Sequence, residues 1–308
     1  MQSDLAVEYP QPEPVVGLLI INRIPDLPMM AISSILNHSD SNLIIGYVAE
    51  ADIADLPKNP RISFINLSEY AHALGLLPKD GRYESFDDDS FFSLVQLKWS
   101  LFKEILTQNP SQDLIYSDLD VFWLKDAAEF VRASFATLSR VNVLIQNFTV
   151  DSFSPQLCMG FVAFRNCEVN RKLIDECLAI HKSLLVTNSR TGDDDVITHY
   201  YRTNDFPENI LQLPQSTFPV GNLLNLFTKR SLYPGLVPTK PYIYHANFVV
   251  GLKRKIETSY LFYRNQRVVH PHLTLRDRIR IIFFIQLRFI SFQIYTSLSD
   301  IRKLVKHK

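Results

Sequence analysis

The chain has 308 residues, 46% of them hydrophobic, which is enough for one large α/β domain whose core needs no disulfide staples. Its 32 Lys or Arg balance 32 Asp or Glu, and a near-neutral body argues against binding phosphate backbones, so no nucleic-acid partner is expected. The three cysteines, Cys158, Cys167 and Cys177, cannot all pair internally and include no Cys-x-x-Cys, so they are read as reduced, mostly buried thiols.

The opening MQSDLAVEYPQPEP, residues 1–14, is proline-rich and reads as a flexible segment. It lacks the basic and then apolar stretch of a signal peptide, so a cytoplasmic location is expected. The Asn-x-Ser/Thr triplets at Asn37, Asn66 and Asn147 are accordingly read as chance matches.

VVGLLIINR is a near-continuous apolar run, PMMAISSILNHSD has helical spacing, and NLIIGYVAE and RISFINLS are further apolar runs. Strand, helix, strand, strand in this order argues for a mainly parallel sheet with helices on its faces. AHALGLLPKDGRYESFDDDS reads as a loop, its Asp87, Asp88 and Asp89 a solvated turn and helix start. FFSLVQLKWSLFKEIL predicts one helix with an apolar stripe of Phe91, Leu94, Val95, Leu101, Phe102 and Ile105. Ser93, Gln96, Ser100 and Lys103 form the opposite stripe, while Lys98 falls on the apolar one. An ammonium there either snorkels to the edge or meets a carboxylate or phosphate.

DLIYSDLD predicts a strand that breaks into a loop, placing Asp118 and Asp120 at its carboxyl end. Ligands of open α/β sheets bind at that edge, and two carboxylates there suit a hard divalent cation. Asp-x-Asp alone often marks only a turn, but apolar residues on both sides leave these carboxylates needing a positive partner. VNVLIQNF and MGFVAFRN follow as strands, VNRKLIDECLAIHKSLL as a helix, and TGDDDVITHYYR as a loop entering another helix. NILQLPQSTFPVGNLL and KPYIYHANFVVGLKRK are irregular, the latter carrying a second polar island at His245-Ala246-Asn247 with Gly251 and Lys255 beyond it. His245 is either a metal ligand or a histidine satisfied by a backbone carbonyl, and LKRK either faces phosphates or is a solvated turn.

YSDLDVFWLKD, CMGFVAFRN and HANFVVGLKRK, in this order, resemble the nucleotide-diphospho-sugar transferases of the retaining GT-A class. The group that includes plant cell-wall xylosyl- and arabinosyltransferases is the most similar. The resemblance implies a GT-A type, Rossmann-like mainly parallel sheet flanked by helices over residues 15–270, and a metal-dependent glycosyltransferase activity. It implies a nucleoside-diphosphate sugar donor and a glycan, glycolipid or protein acceptor. It implies Mn2+ or Mg2+ bound by Asp120, with Asp118 acting through water or on the nucleotide ribose and His245 completing the shell. Lys255 would offset leaving-group charge, Asn247 and Gly251 would meet phosphate or sugar, and Lys98 would have a polar partner. Asp194 matches the aspartate of an Asp-Gln pair near the sugar, and Asp195 stands where that pair has glutamine. The acidic run Asp193 to Asp195 also fits a helix start favoured by the helix dipole. Phe218 and Gly221 match a family loop, and Cys158 is read as packing before a Gly160-Phe161 turn.

Residues 271–308 hold eight Lys or Arg and two Asp, a charge of +6 against −6 for the rest. Arg280 and Arg288 interrupt its apolar stretch, which predicts a basic amphipathic helical tail on the cytosolic face of a membrane or packed on the catalytic domain. Two other functions fit parts of the chain. A haloacid-dehalogenase phosphatase also places Asp-x-Asp after a strand, and a non-catalytic sugar-nucleotide-binding or membrane-associated protein could keep the fold.

Overall fold

The computed structural model describes residues 12–21, 27–50, 53–76, 89–147, 156–205, 207–215, 217–220 and 241–247. Strand β1 (Val15–Ile20) is buried along its whole length, as an apolar run flanked by helices on both faces must be. Its side chains alternate between two cores: Val15 and Leu19 join one layer, and Val16, Leu18 and Ile20 the other. Helix α1 (Leu27–His38) leads to β2 (Leu43–Tyr47) and β3 (Ile62–Asn66), both parallel to their neighbours, which makes the expected β-α-β start.

The loop expected after β3 begins as a helix, α2 (Ser68–Ala73). Asn66 Oδ1 accepts the Ser68 N–H, and the buried Ala71 anchors the turn, a pattern too short for periodicity to reveal. The single helix expected over 91–106 is two, α3 (Asp89–Leu94) and α4 (Leu97–Gln108). The break at Val95-Gln96 lets α4 bury all of its first six residues, so Gln96 and Ser100, expected on the stripe opposite the apolar one, lie in the interior.

Strand β4 (Leu114–Ser117) ends at Asp118, and β5 (Val121–Trp123) resumes after a turn closed by the Val121 N–H on the Asp118 carbonyl. Helix α5 (Ala127–Thr137) was not expected from the sequence, although Asp126 caps it by accepting from Ala128 N and Glu129 N. Then come β6 (Val143–Asn147), β7 (Leu157–Phe164), α6 (Glu168–Thr187), α7 (Asp193–Thr203), β8 (Ile210–Leu213) and β9 (Ile243–His245).

Seven strands form one sheet in the order β3-β2-β1-β4-β7-β6-β8, and β5 and β9 form a second, two-stranded one. Among the main-sheet pairings only those of β7 are antiparallel, so the sheet is mostly parallel. Strand order reverses direction beside β1 and β4, the switch point at which such sheets open a crevice at their carboxyl ends. The N-terminal segment 1–11 and the basic tail lie outside the described residues.

Candidate active site

Asp118, Leu119 and Asp120 occupy the turn between β4 and β5 at the carboxyl edge of the main sheet. Pairing of β5 with β9 sets Val121 opposite His245, and the Ala246 N–H closes on the Asp120 carbonyl at 2.9 Å. A two-stranded ladder thus carries His245 from far along the chain to the acidic turn. One ligand atom from each of Asp118, Asp120 and His245 lies within 4.8 Å of the others. Asp120 and His245 are buried, at 7% and 2% exposure, so these are not merely surface acids that happen to be close.

Two carboxylates and one imidazole form a donor set suited to Mn2+ or Mg2+. His245 Nε2 stands 3.2 Å from Asp120 Oδ1. A carboxylate oxygen and an imidazole lone pair repel at that distance, so the contact calls for a proton or a cation between them. The residues fit a divalent ion.

Lys98 is buried on α4 and meets both Asp118 oxygens, at 2.8 and 3.1 Å, and Asp193 Oδ2 at 2.7 Å. Of the two alternatives left open for this lysine, the structure selects carboxylate partners. Burial by itself lowers the Lys98 pKa, but the Asp118 and then the Asp193 charges outweigh it, so the ammonium stays protonated. Tyr116 adds a hydroxyl that donates to Asp118 Oδ1 at 2.8 Å.

Strand β7 carries an irregularity beside the acidic turn. Its register on β6 jumps from Val162 opposite Ile145 to Cys158 opposite Gln146, so Met159, Gly160 and Phe161 bulge. The expected Gly160-Phe161 turn is therefore part of a strand. The Met159 N–H bonds Asp194 Oδ1 at 2.6 Å, and the Gly160 carbonyl accepts the Asp118 N–H at 2.7 Å. A Cβ on Gly160 would overlap the His245 ring, so only glycine lets that ring lie against the strand.

The acidic run opens α7, and its three members part company. Asp193 faces Lys98, Asp194 reaches Met159, and the exposed Asp195 accepts the Gly192 N–H at 3.0 Å as a helix cap. Burial, and next the Asp193 charge, push the Asp194 carboxyl well above the usual carboxylate range. The segment before α7 is tied down by His181, whose Nδ1 accepts from Trp99 Nε1 at 3.2 Å while Nε2 donates to the Thr191 carbonyl at 3.0 Å.

Asn247 donates to Cys158 Sγ at 3.7 Å, and Cys158 is buried with its thiol pKa raised, chiefly by burial, which fits packing. Phe218 is buried and stacks on Tyr242 with centroids 5.5 Å apart. Gly221, Gly251 and Lys255 lie outside the described residues. Sequence reasoning missed the Asp193 partner of Lys98, Tyr116 and the buried Gln146. Gln146 did carry a signal, a lone amide in the apolar strand VLIQN.

A mostly parallel sheet with an acidic turn and a histidine at the carboxyl edge beside its switch point has the architecture of the GT-A type glycosyltransferases. The chain belongs to the nucleotide-diphospho-sugar transferase family, whose sequence model matches residues 66–258. It is thus a nucleotide-sugar-dependent glycosyltransferase, and the phosphatase reading falls away. Among solved structures, mouse xyloside xylosyltransferase 1 in its apo form is similar at TM-score 0.53 and 13% identity, over 77% of this chain and 99% of that one. A glycosyltransferase involved in glycosylating the major capsid of PBCV-1 is similar at 0.48 and 9% identity, over 80% and 100%. A galactosyltransferase solved with donor and acceptor sugar analogues is similar at 0.47 and 11% identity, over 83% and 97%. No curated protein matches the chain in sequence. Among the described residues no helix is long and apolar enough to cross a membrane.

Proposed function

We propose that the protein is a metal-dependent, retaining glycosyltransferase that moves a hexose or pentose from a nucleoside-diphosphate sugar to a hydroxyl of a glycan, glycolipid or protein. The observation that carries this reading is the convergence of Asp118, Asp120 and His245 within 4.8 Å at the end of β4.

Asp120 and His245 would hold Mn2+ or Mg2+, with Asp118 acting through water or on the ribose. When bound there, such a cation would supply positive charge to stabilise a departing diphosphate. Lys98 orients Asp118 by meeting both of its oxygens, and Asn247, Gly251 and Lys255 are assigned by sequence pattern to the phosphates. In the transfer, the bond from the anomeric carbon to the diphosphate oxygen breaks and the acceptor oxygen bonds to that carbon. The acceptor hydroxyl proton leaves with the departing diphosphate.

Asp194 and Asp195 belong to the sugar side, and their geometry divides them. We assign Asp194, held by the bulged strand and with its carboxyl raised by burial, to the sugar, whereas Asp195 caps the turn; the Met159 bond and the raised carboxyl support that assignment. The +6 charge of residues 271–308 supports an anionic membrane surface as the setting, on the cytosolic face, which favours a glycolipid acceptor.

The test is Mn2+-dependent hydrolysis of a panel of UDP- and GDP-sugars by the wild type and Asp120→Ala. Release of one nucleoside diphosphate that vanishes in the variant supports the reading and names the donor. Absence of both release and metal-dependent nucleotide binding would overturn it.

A further inference from the structure

We infer that Gln146 is the positioning residue of the metal site: its side-chain amide fixes the Nδ1 proton on His245 and so leaves Nε2 to the cation. The inference rests on the metal reading above.

The argument begins at Phe218, whose backbone carbonyl can only accept. Gln146 Nε2 is 3.3 Å from it, so the amide NH2 must face Phe218 and Oε1 must face the other way. Oε1 then lies 3.1 Å from His245 Nδ1. An amide oxygen cannot donate, so Nδ1 carries the hydrogen. In a neutral ring the lone pair is thereby placed on Nε2, the atom 3.2 Å from Asp120.

One group competes for Nδ1, the Cys158 thiol at 3.5 Å. Sulfur is a weak hydrogen-bond partner, and the amide oxygen lies closer to Nδ1, so the amide oxygen prevails. Gln146 itself is fully buried on β6, opposite the β7 bulge and paired with Cys158 on one side and Leu213 on the other. A polar group in that position costs folding energy unless both of its ends are used, and both are. Metal-bound histidines commonly rely on such a partner, and its loss weakens binding by about 10–100-fold.

The experiment uses the full chain, with Mn2+ binding followed by electron paramagnetic resonance and the His245 ring read by long-range 15N-1H correlation at about pH 8, above the ordinary imidazole pKa. With diamagnetic Mg2+ bound, the wild type is expected to carry hydrogen on Nδ1 and none on Nε2. Gln146→Met, close in size but without an amide, is expected to lose Mn2+ affinity by about 10–100-fold and to shift the metal-free ring to the Nε2–H form, donating to Asp120. Gln146→Glu restores an acceptor to Nδ1 and is expected to hold affinity close to that of the wild type. A bare Nδ1 in the wild type would overturn the assignment whether or not the variants fold, and so would unchanged Mn2+ affinity in Gln146→Met. A wild type that binds no Mn2+ would instead sink the metal reading, which separates the two failures.

Discussion

The Lys98 ammonium lies 2.7 Å from the Asp193 carboxylate, joining the first turn of α4 to the first turn of α7. Asp118 completes the arrangement on the other side of the same ammonium, so one buried cation couples the acidic turn after β4 to the segment that presents Asp194.

Lys98→Met would leave two carboxylates without their counter-charge. A loss of about 3–5 kcal/mol is expected, since breaking a buried pair strands the remaining charge. Urea unfolding of the two proteins measures it, and a midpoint unchanged in the variant would mean that solvent already satisfies Asp118 and Asp193.

Gly160→Ala places a methyl group in the volume of the His245 imidazole. The ring must move, at a cost of about 1–3 kcal/mol for overpacking, and Mn2+ affinity should fall with it. Thermal melts and metal titration follow the two effects together, and affinity equal to that of the wild type would show that the ring position is unimportant.

Asp194→Ala removes the acceptor of the Met159 N–H and the carboxylate assigned to the sugar. Stability should drop by about 1–3 kcal/mol for the stranded donor, and nucleoside-diphosphate release should be lost. Asp195→Ala loses a helix-cap bond worth about 0.5–2 kcal/mol and should lower turnover far less. Steady-state rates for both variants decide the order, and the reverse order would move the catalytic assignment to Asp195.

His181 is buried, and burial lowers its pKa although the Thr191 carbonyl and the Asp193 and Asp195 charges oppose the shift; Lys98 adds to it. The folded pKa thus lies below the unfolded value of about 6.5, and the unfolded chain binds more protons between the two. Stability contributed by the neutral ring is complete above about pH 6.5 and is lost as pH falls through the folded pKa. His181→Gln cannot take up that proton, so its unfolding midpoint should vary less with pH below about 6.5 than that of the wild type. Parallel curves for the two proteins would assign the acid sensitivity elsewhere.

The residue pattern by itself determined the strands of the parallel half, because a run buried on both faces leaves an apolar signature in consecutive positions. It likewise determined that Asp118 and Asp120 sit at a strand end, where carboxylates in apolar surroundings need a cation. Local signals were weaker where packing overrode propensity, as in the break between α3 and α4 and the burial of Gln96 and Ser100. Only the tertiary structure decided who meets these carboxylates. Pairing of β5 with β9 brings His245 to Asp120, the β7 bulge turns the Met159 N–H to Asp194, and α4 delivers Lys98 to both Asp118 and Asp193. Gln146 gains its meaning the same way, from a ring and a carbonyl supplied by other segments. Periodicity reports which face of an element is buried, and it carries no record of which distant element will cover that face.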